Sequence, residues 1–172
     1  KLIERGYREC ESRYALVRDF CNEKFGALPF WRVCDIGANM CYFGIRLSED
    51  FHGCHIMAFE NDHFKQRHEH LRASGAKRVM LLERRLTLED VDTLASFMKF
   101  DVVLALSVLH HVRGSVDKWL EALRGLGSYV IVEMAGADSK RATARGRTLS
   151  EISQAQLLGS GKSHLNKSID RP

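Results

Sequence analysis

Three acids and a pair of histidines stand at or near the ends of this chain's apolar runs. Asp35 opens Asp35-Ile36-Gly37-Ala38-Asn39, Glu60 precedes Asn61, Glu133 follows Val132, and His110-His111 come shortly after Leu106-Ser107. A carboxylate at the tip of a second strand can accept hydrogen bonds from both hydroxyls of a ribose, and Glu60 takes that role. An imidazole can take up a proton near neutral pH, and a neighbouring carboxylate can orient the ring and stabilise its charged form.

These residues need a scaffold that gathers strand ends at one place. Tyr7, Cys10, Tyr14, Val17 and Cys21 recur at helical spacing, with Arg8, Glu9, Arg13, Arg18 and Asp19 between them; this describes an amphipathic helix over residues 7–25 that Gly26 and Pro29 end. Trp31 to Ile36 reads as a buried strand, and Gly37 to Met40 as a turn into a helix. The pattern then repeats: strand Cys54 to Phe59, helix around Phe64 to Ala73, strand Arg78 to Leu82 and helix Leu88 to Phe97. Strand Asp101 to Leu106, a helical face at Val116, Trp119, Leu120 and Leu123, and strand Tyr129 to Val132 complete a core over residues 31–134. Apolar strands alternating with helices predict an α/β, Rossmann-like domain, a mostly parallel sheet with helices on both faces. Residues 137–148 read as a mobile basic loop and Leu149 to Leu158 as a short helix. Gly159 to Pro172 reads as the approach to a last strand that does not arrive. The whole, residues 1–172, is expected to be one domain cut from something longer, with a further domain beyond its C-terminus.

In such a sheet the ligand sits outside the carboxyl ends of the strands, where the topology reverses. A dinucleotide and S-adenosylmethionine (SAM) share this geometry, and the glycines separate them. A dinucleotide needs G-x-G-x-x-G so that backbone can approach a pyrophosphate. Here Gly37 stands alone, with Asn39 and Cys41 where further small residues are expected. SAM has no phosphate, tolerates side chains there and suits a nearby carboxylate such as Asp35.

Three stretches, in order and at the right spacing, carry a family resemblance. Val33 to Asn39 resembles the first motif of class I SAM-dependent methyltransferases, Glu60 their second-strand acid, and Phe100 to His111 their fourth-strand motif. The resemblance implies that Asp35 and Gly37, with Ala38 and Asn39, hold the methionine end, Glu60 and Asn61 the ribose, Arg85 and Leu86 the adenine, and Leu106 and Ser107 the sulfonium side. The product is S-adenosylhomocysteine (SAH). Small-molecule O-methyltransferases resemble the arrangement further on, which implies His110 as the base, Glu133 as its orienting acid and His111 as the less favoured base.

Leu106 to His111, Val130 to Met134, Ser163-His164-Leu165 and Arg171-Pro172 together are similar to methyltransferase domains that cap O-antigen polysaccharides, which implies a sugar or sugar-phosphate acceptor. An anionic acceptor suits Arg141, Arg145 and Arg147. With Lys140 against Asp138 these give residues 138–148 a charge of +3, out of a net +4 for the chain. The rest is close to neutral, so a broad nucleic-acid face is disfavoured. Two other readings stay open: an RNA methyltransferase, argued by that loop alone and without an Asn-Pro-Pro-Tyr-like motif after the fourth strand, and a regulatory module that binds the cofactor without catalysis.

With 45% hydrophobic and 28% charged residues, the 172-residue chain reads as an ordinary globular protein. No apolar block marks it for export or for a membrane span, and a cytoplasmic protein is expected. Cys10, Cys21, Cys34, Cys41 and Cys54 are odd in number and never spaced C-x-x-C, so reduced thiols are expected rather than disulfides or zinc ligands. His63, His68 and His70 with Glu69 read as the charged outer face of a helix, and no metal is expected.

Overall fold

The computed structural model describes residues 10–133 and 156–159. The elements run α1 (Cys10–Phe25), β1 (Trp31–Ile36), α2 (Tyr42–Asp50), β2 (Cys54–Glu60), α3 (Phe64–Ser74), β3 (Val79–Glu83), α4 (Leu88–Phe97), β4 (Phe100–Leu106), α5 (Val116–Leu126), β5 (Gly127–Glu133) and β6 (Gln156–Gly159). The six strands form one sheet in the order β3-β2-β1-β4-β5-β6. The first five are mutually parallel, and β6 runs antiparallel to β5. The order reverses between β1 and β4, which opens a crevice at their carboxyl ends.

The central strands carry apolar side chains on both faces because helices cover both. Val102, Val103, Leu104 and Ala105 of β4 have no exposed surface. On one side, Tyr14, Val17, Cys21 and Phe25 of α1 join α2 and α3 over Trp31, Val33 and Ile56; on the other, Val91 of α4 and Trp119, Leu123 and Leu126 of α5 pack over Cys34, Val103 and Val130. Trp31 stacks on Phe25 with ring centroids 5.0 Å apart, tying α1 to the start of β1. All five cysteines are free thiols, and four are buried.

Local chemistry explains most boundaries. Thr87 accepts from the Asp90 N–H while Asp90 accepts from the Thr87 N–H, a reciprocal cap that starts α4. Ser115 accepts from the Asp117 N–H and starts α5. The fifth strand is longer than expected, since α5 runs into it without a loop. A side chain at Gly127 would come within 2.5 Å of Val103 Cγ2, so only glycine lets β5 begin there against β4.

Two expectations need correction. The short helix expected over Leu149 to Leu158 is overtaken at its end by β6, whose residues pair Tyr129↔Gly159 to Val132↔Gln156 with β5. A strand therefore does stand at the edge where the sheet was expected to stop short. An isolated run of Gln156-Leu157-Leu158-Gly159 has no period of its own, and the unpaired edge of β5 supplies the partner. Residues 7–9, Met134, the basic loop 137–148 and residues 160–172 lie outside the described residues. No helix among the described residues is long and apolar enough to cross a membrane.

Candidate functional site

A cleft of about 1370 Å3 opens over the carboxyl ends of β1, β2 and β4. Asp35, Gly37, Ala38, Asn39, Glu60 and Asn61 line one part of it, and Arg85, Leu86, Leu106, Ser107, His110 and His111 line the rest. The residues singled out for a cofactor are therefore brought together, although they come from four separate loops. Arg141, Arg145 and Arg147 fall outside the described residues.

The first loop is shaped by left-handed backbone. Gly37, Asn39 and Cys41 have φ of 71°, 50° and 58°, and Ser107 after β4 has 54°. Glycine adopts this region freely and asparagine tolerates it, whereas each other residue costs on the order of 1–2 kcal/mol. Gly37 is required on a second count, because a Cβ there would lie 2.6 Å from Val108 Cγ2. The loops after β1 and β4 thus interlock through that glycine, and its freedom serves packing against Val108.

Three successive backbone donors of this loop are already used. Gly37 and Ala38 both donate to the Phe59 carbonyl, at 2.9 and 3.1 Å, and the Asn39 N–H donates to Glu60 Oε2 at 2.8 Å. The N–H groups of Gly37, Ala38 and Asn39 are therefore not open to a pyrophosphate, in keeping with the missing glycines.

Glu60 anchors three segments at once. Oε1 accepts from the N–H groups of Asn61 (2.7 Å) and Asp62 (3.1 Å), while Oε2 accepts from Asn39 and lies 2.7 Å from Nη1 of Arg67 on α3. The Arg67 approach is ionic rather than a well-aligned hydrogen bond. Burial alone would raise the Glu60 pKa, but the Asp62 and Asn61 N–H groups, Arg67 and the Asn39 N–H more than offset it, and the carboxyl stays below its usual range. Three N–H donors and the Arg67 guanidinium crowd the carboxylate, so hydroxyls binding to Glu60 must share its oxygens with them.

Asp35 is the opposite case. It is 3% exposed, and its Oδ2 is buried without a hydrogen-bond partner. Burial first, and then the neighbouring Glu60, push its carboxyl up to about 7. Asp35 also lines the cleft, and a buried carboxylate with an unpartnered oxygen suits a cationic group, such as an ammonium, better than any phosphate.

Across the cleft, Arg85 Nη2 donates to the His111 carbonyl at 3.1 Å, bridging the loop after β3 to the loop after β4. The His110 and His111 rings lie 3.8 Å apart at 45°. Glu133 ends β5 beside Leu106, with Arg13 and Ser107 both donating to its Oε2, Ser107 at 2.8 Å. The carboxylate expected to serve His110 is thus also the anchor of a helix and a turn.

Sequence reasoning missed Arg13 and Arg67. Arg13 reads as part of the polar side of an amphipathic helix, and Arg67 sits on a helix read as a charged outer face. The one signal for Arg13 was Cys10, three residues earlier on the same helical face. Among the described residues no group of His, Cys, Asp or Glu is placed to hold a metal ion.

No family model matches the sequence, and no curated protein matches it. Solved structures do. The bifunctional kinase-methyltransferase WbdD superposes with a TM-score of 0.62 at 19% identity, covering 80% of this chain and 32% of that one. The N-terminal domain of EvdMO1, solved with SAH bound, gives 0.55 at 22% identity over 73% of this chain and 52% of that one. PKMT2 from Rickettsia typhi gives 0.51 at 22%, covering 61% and 21%. The chain thus spans about a third of the length of WbdD and about half of the EvdMO1 domain. These likenesses show the fold: an α/β, Rossmann-like sheet shared with these structures.

Proposed function

We propose that the chain is a SAM-dependent methyltransferase domain that moves a methyl group to an oxygen of a small-molecule or glycan acceptor carrying an anion, and releases SAH. The observation that carries the reading is Asp35: a buried carboxylate with an unpartnered oxygen at the switch point, beside a loop in which the N–H groups of Gly37, Ala38 and Asn39 already have protein acceptors. The fold and the SAH-bound EvdMO1 neighbour support it.

In this reading Asp35, with Gly37, Ala38 and Asn39, holds the methionine end and pairs with its ammonium. Glu60 and Asn61 receive the ribose, Arg85 and Leu86 border the adenine, and Leu106 and Ser107 face the sulfonium. Bound SAM supplies a methyl group made electrophilic by the positive sulfur. What the chain contributes is alignment of the acceptor oxygen with that methyl, exclusion of water and removal of a proton. His110 is the base, with His111 the less favoured candidate. The Nδ1 of His110 is buried, which leaves Nε2 as the nitrogen to take the acceptor's proton. Glu133 at the neighbouring strand end, which also accepts from Arg13 and Ser107, is the acid to orient that imidazole. Arg141, Arg145 and Arg147, following β5 in the sequence, would add positive charge for an anionic acceptor.

Calorimetry with SAM and with SAH tests the cofactor, and labelled SAM with candidate acceptors tests the transfer. Glu60→Ala should weaken cofactor binding about ten-fold or more, because roughly 1.5–3 kcal/mol rides on hydrogen bonds to a charged group. If neither SAM nor SAH binds the wild-type protein, the reading is wrong.

A further inference from the structure

Cys10 and Arg13 form a wall of the cleft, although α1 precedes the whole sheet in the sequence. Arg13 turns inward from the polar side of its helix. Its Nη2 donates to Glu133 Oε2, its guanidinium carbon lies 5.4 Å from the centroid of the Phe43 ring, and its side chain is only 21% exposed. Ser107 donates to the same carboxylate oxygen, so Glu133 keeps a donor if Arg13 shifts.

A guanidinium carries five N–H donors in a plane. Among the described residues, Glu133 engages one nitrogen and Phe43 one face, and the other donors are left to the cleft. Of the cleft's other arginines, Arg67 lies half-buried against Glu60, Arg84 pairs with Asp90, Arg85 holds the His111 carbonyl, and Arg113 is exposed on the turn before α5, away from Glu133 in the hydrogen-bond network. Arg13 is also tied, through Glu133 and Ser107, to the ends of β5 and β4, beside the turn that carries His110.

We propose that Arg13 recognises the acceptor: held by Glu133 and Phe43, its guanidinium binds an oxyanion of the acceptor, a phosphate or a carboxylate, beside the end of β4. The assignment rests on the methyltransferase reading and names the residue on the described part of the chain that selects the substrate. A guanidinium oriented by an ion pair and an aromatic face loses little freedom when it grips an oxyanion with two parallel hydrogen bonds. Lysine offers a point charge without that fork.

The test uses protein saturated with SAH and three probes: phenyl phosphate, benzoate and the neutral benzyl alcohol. The Nε–Hε NMR signal of Arg13, assigned by its loss in Arg13→Met, should shift saturably with at least one anion. That anion should bind about tenfold or more tighter than benzyl alcohol. A response to phenyl phosphate alone or to benzoate alone supports the proposal and identifies the oxyanion. Arg13→Met should lose anion binding, and Arg13→Lys, which keeps the charge opposite Glu133 if the methionine variant does not fold, should weaken it several-fold. SAH affinity, measured separately by calorimetry, should stay within about twofold in both variants. Equal anion affinity in wild type and Arg13→Lys, an unmoved Arg13 signal, or benzyl alcohol binding as tightly as the anions would overturn the assignment. A wild-type protein that fails to bind SAH overturns the methyltransferase reading instead.

Discussion

Acidification should weaken cofactor binding through Asp35, by an amount that follows from its position. The carboxyl titrates at about 7 in the free protein because burial and the charge of Glu60 both favour its neutral form. An ammonium set against Oδ2 favours the ionised form, so binding must expel the proton wherever Asp35 still holds one. The sign follows: the apparent dissociation constant is nearly flat well above pH 7 and rises as the pH falls below it. Relative to the fully ionised site the loss is about twofold at pH 7, about 11-fold at pH 6 and about 100-fold at pH 5, the last worth about 2.7 kcal/mol. Above about pH 8 the ligand's own α-amino group loses its charge, so affinity should peak between roughly pH 7 and pH 8. Calorimetry from pH 5 to pH 8.5, in buffers of different ionisation enthalpy, measures both the affinity and the protons released, about half a proton from Asp35 at pH 7. Glu60 and Arg67 face the same corner, and His110 and His111 share the cleft, so Asp35→Asn is the necessary control. The variant, which mimics the protonated carboxyl, should bind about 100-fold or more weakly at pH 8 and lose the acid limb. A wild-type affinity flat within about twofold from pH 5 to pH 7.5, or an Asp35→Asn protein with the same acid limb, would refute the assignment of Asp35 to the ammonium.

The same carboxyl bears on folding. Between its unfolded value of 3.8 and about 7 the native state holds the extra proton, so stability falls as pH rises through that window. Asp35→Asn should therefore raise the melting temperature above pH 7, a gain that disappears below about pH 4 in thermal scans. Gly37→Ala should cost about 2–3 kcal/mol in urea unfolding, from a Cβ 2.6 Å from Val108 Cγ2 together with a φ of 71°. In the double variant with Val108→Ala the steric part should be recovered and a backbone cost of about 1 kcal/mol should remain; simple additivity of the two single changes would show that the loops do not interlock there. Arg67→Met leaves a buried Glu60 without its ionic partner and should destabilise the protein by about 3 kcal/mol at pH 7, while a loss below about 1 kcal/mol in denaturant titration would mean that the three N–H groups suffice.

Much of the scaffold was legible in the order of residues. Parallel strands covered on both faces are apolar on both faces, so β1, β2 and β4 stand out as largely apolar runs, with Arg32, His55 and Asp101 near their starts. Because such strands all point one way, the residues ending them meet at one edge, and Asp35, Glu60, Ser107 and His110 could be grouped before any coordinates. Asn39 and Cys41 were readable as departures from a glycine pattern. Their left-handed backbone, and the use of the loop's N–H groups by Phe59 and Glu60, were not.

Other features belong to the tertiary structure alone. The partner of Arg13 lies 120 residues away, and a charged residue on an amphipathic helix has the same local signature whether it faces water or a distant carboxylate. Gln156–Gly159 becomes a strand only because β5 presents an edge to it. The acids differ most of all: Asp35 and Glu60 look alike in the chain, both at strand ends. Packing surrounds Glu60 with three N–H groups and an arginine and leaves Asp35 buried with an open oxygen. The sequence by itself determined that acids would gather at the switch point, since residue type and strand period are local properties. Their charge states were decided by the fold, because the energy of a buried charge depends on the water removed and the donors supplied by segments that only folding brings near.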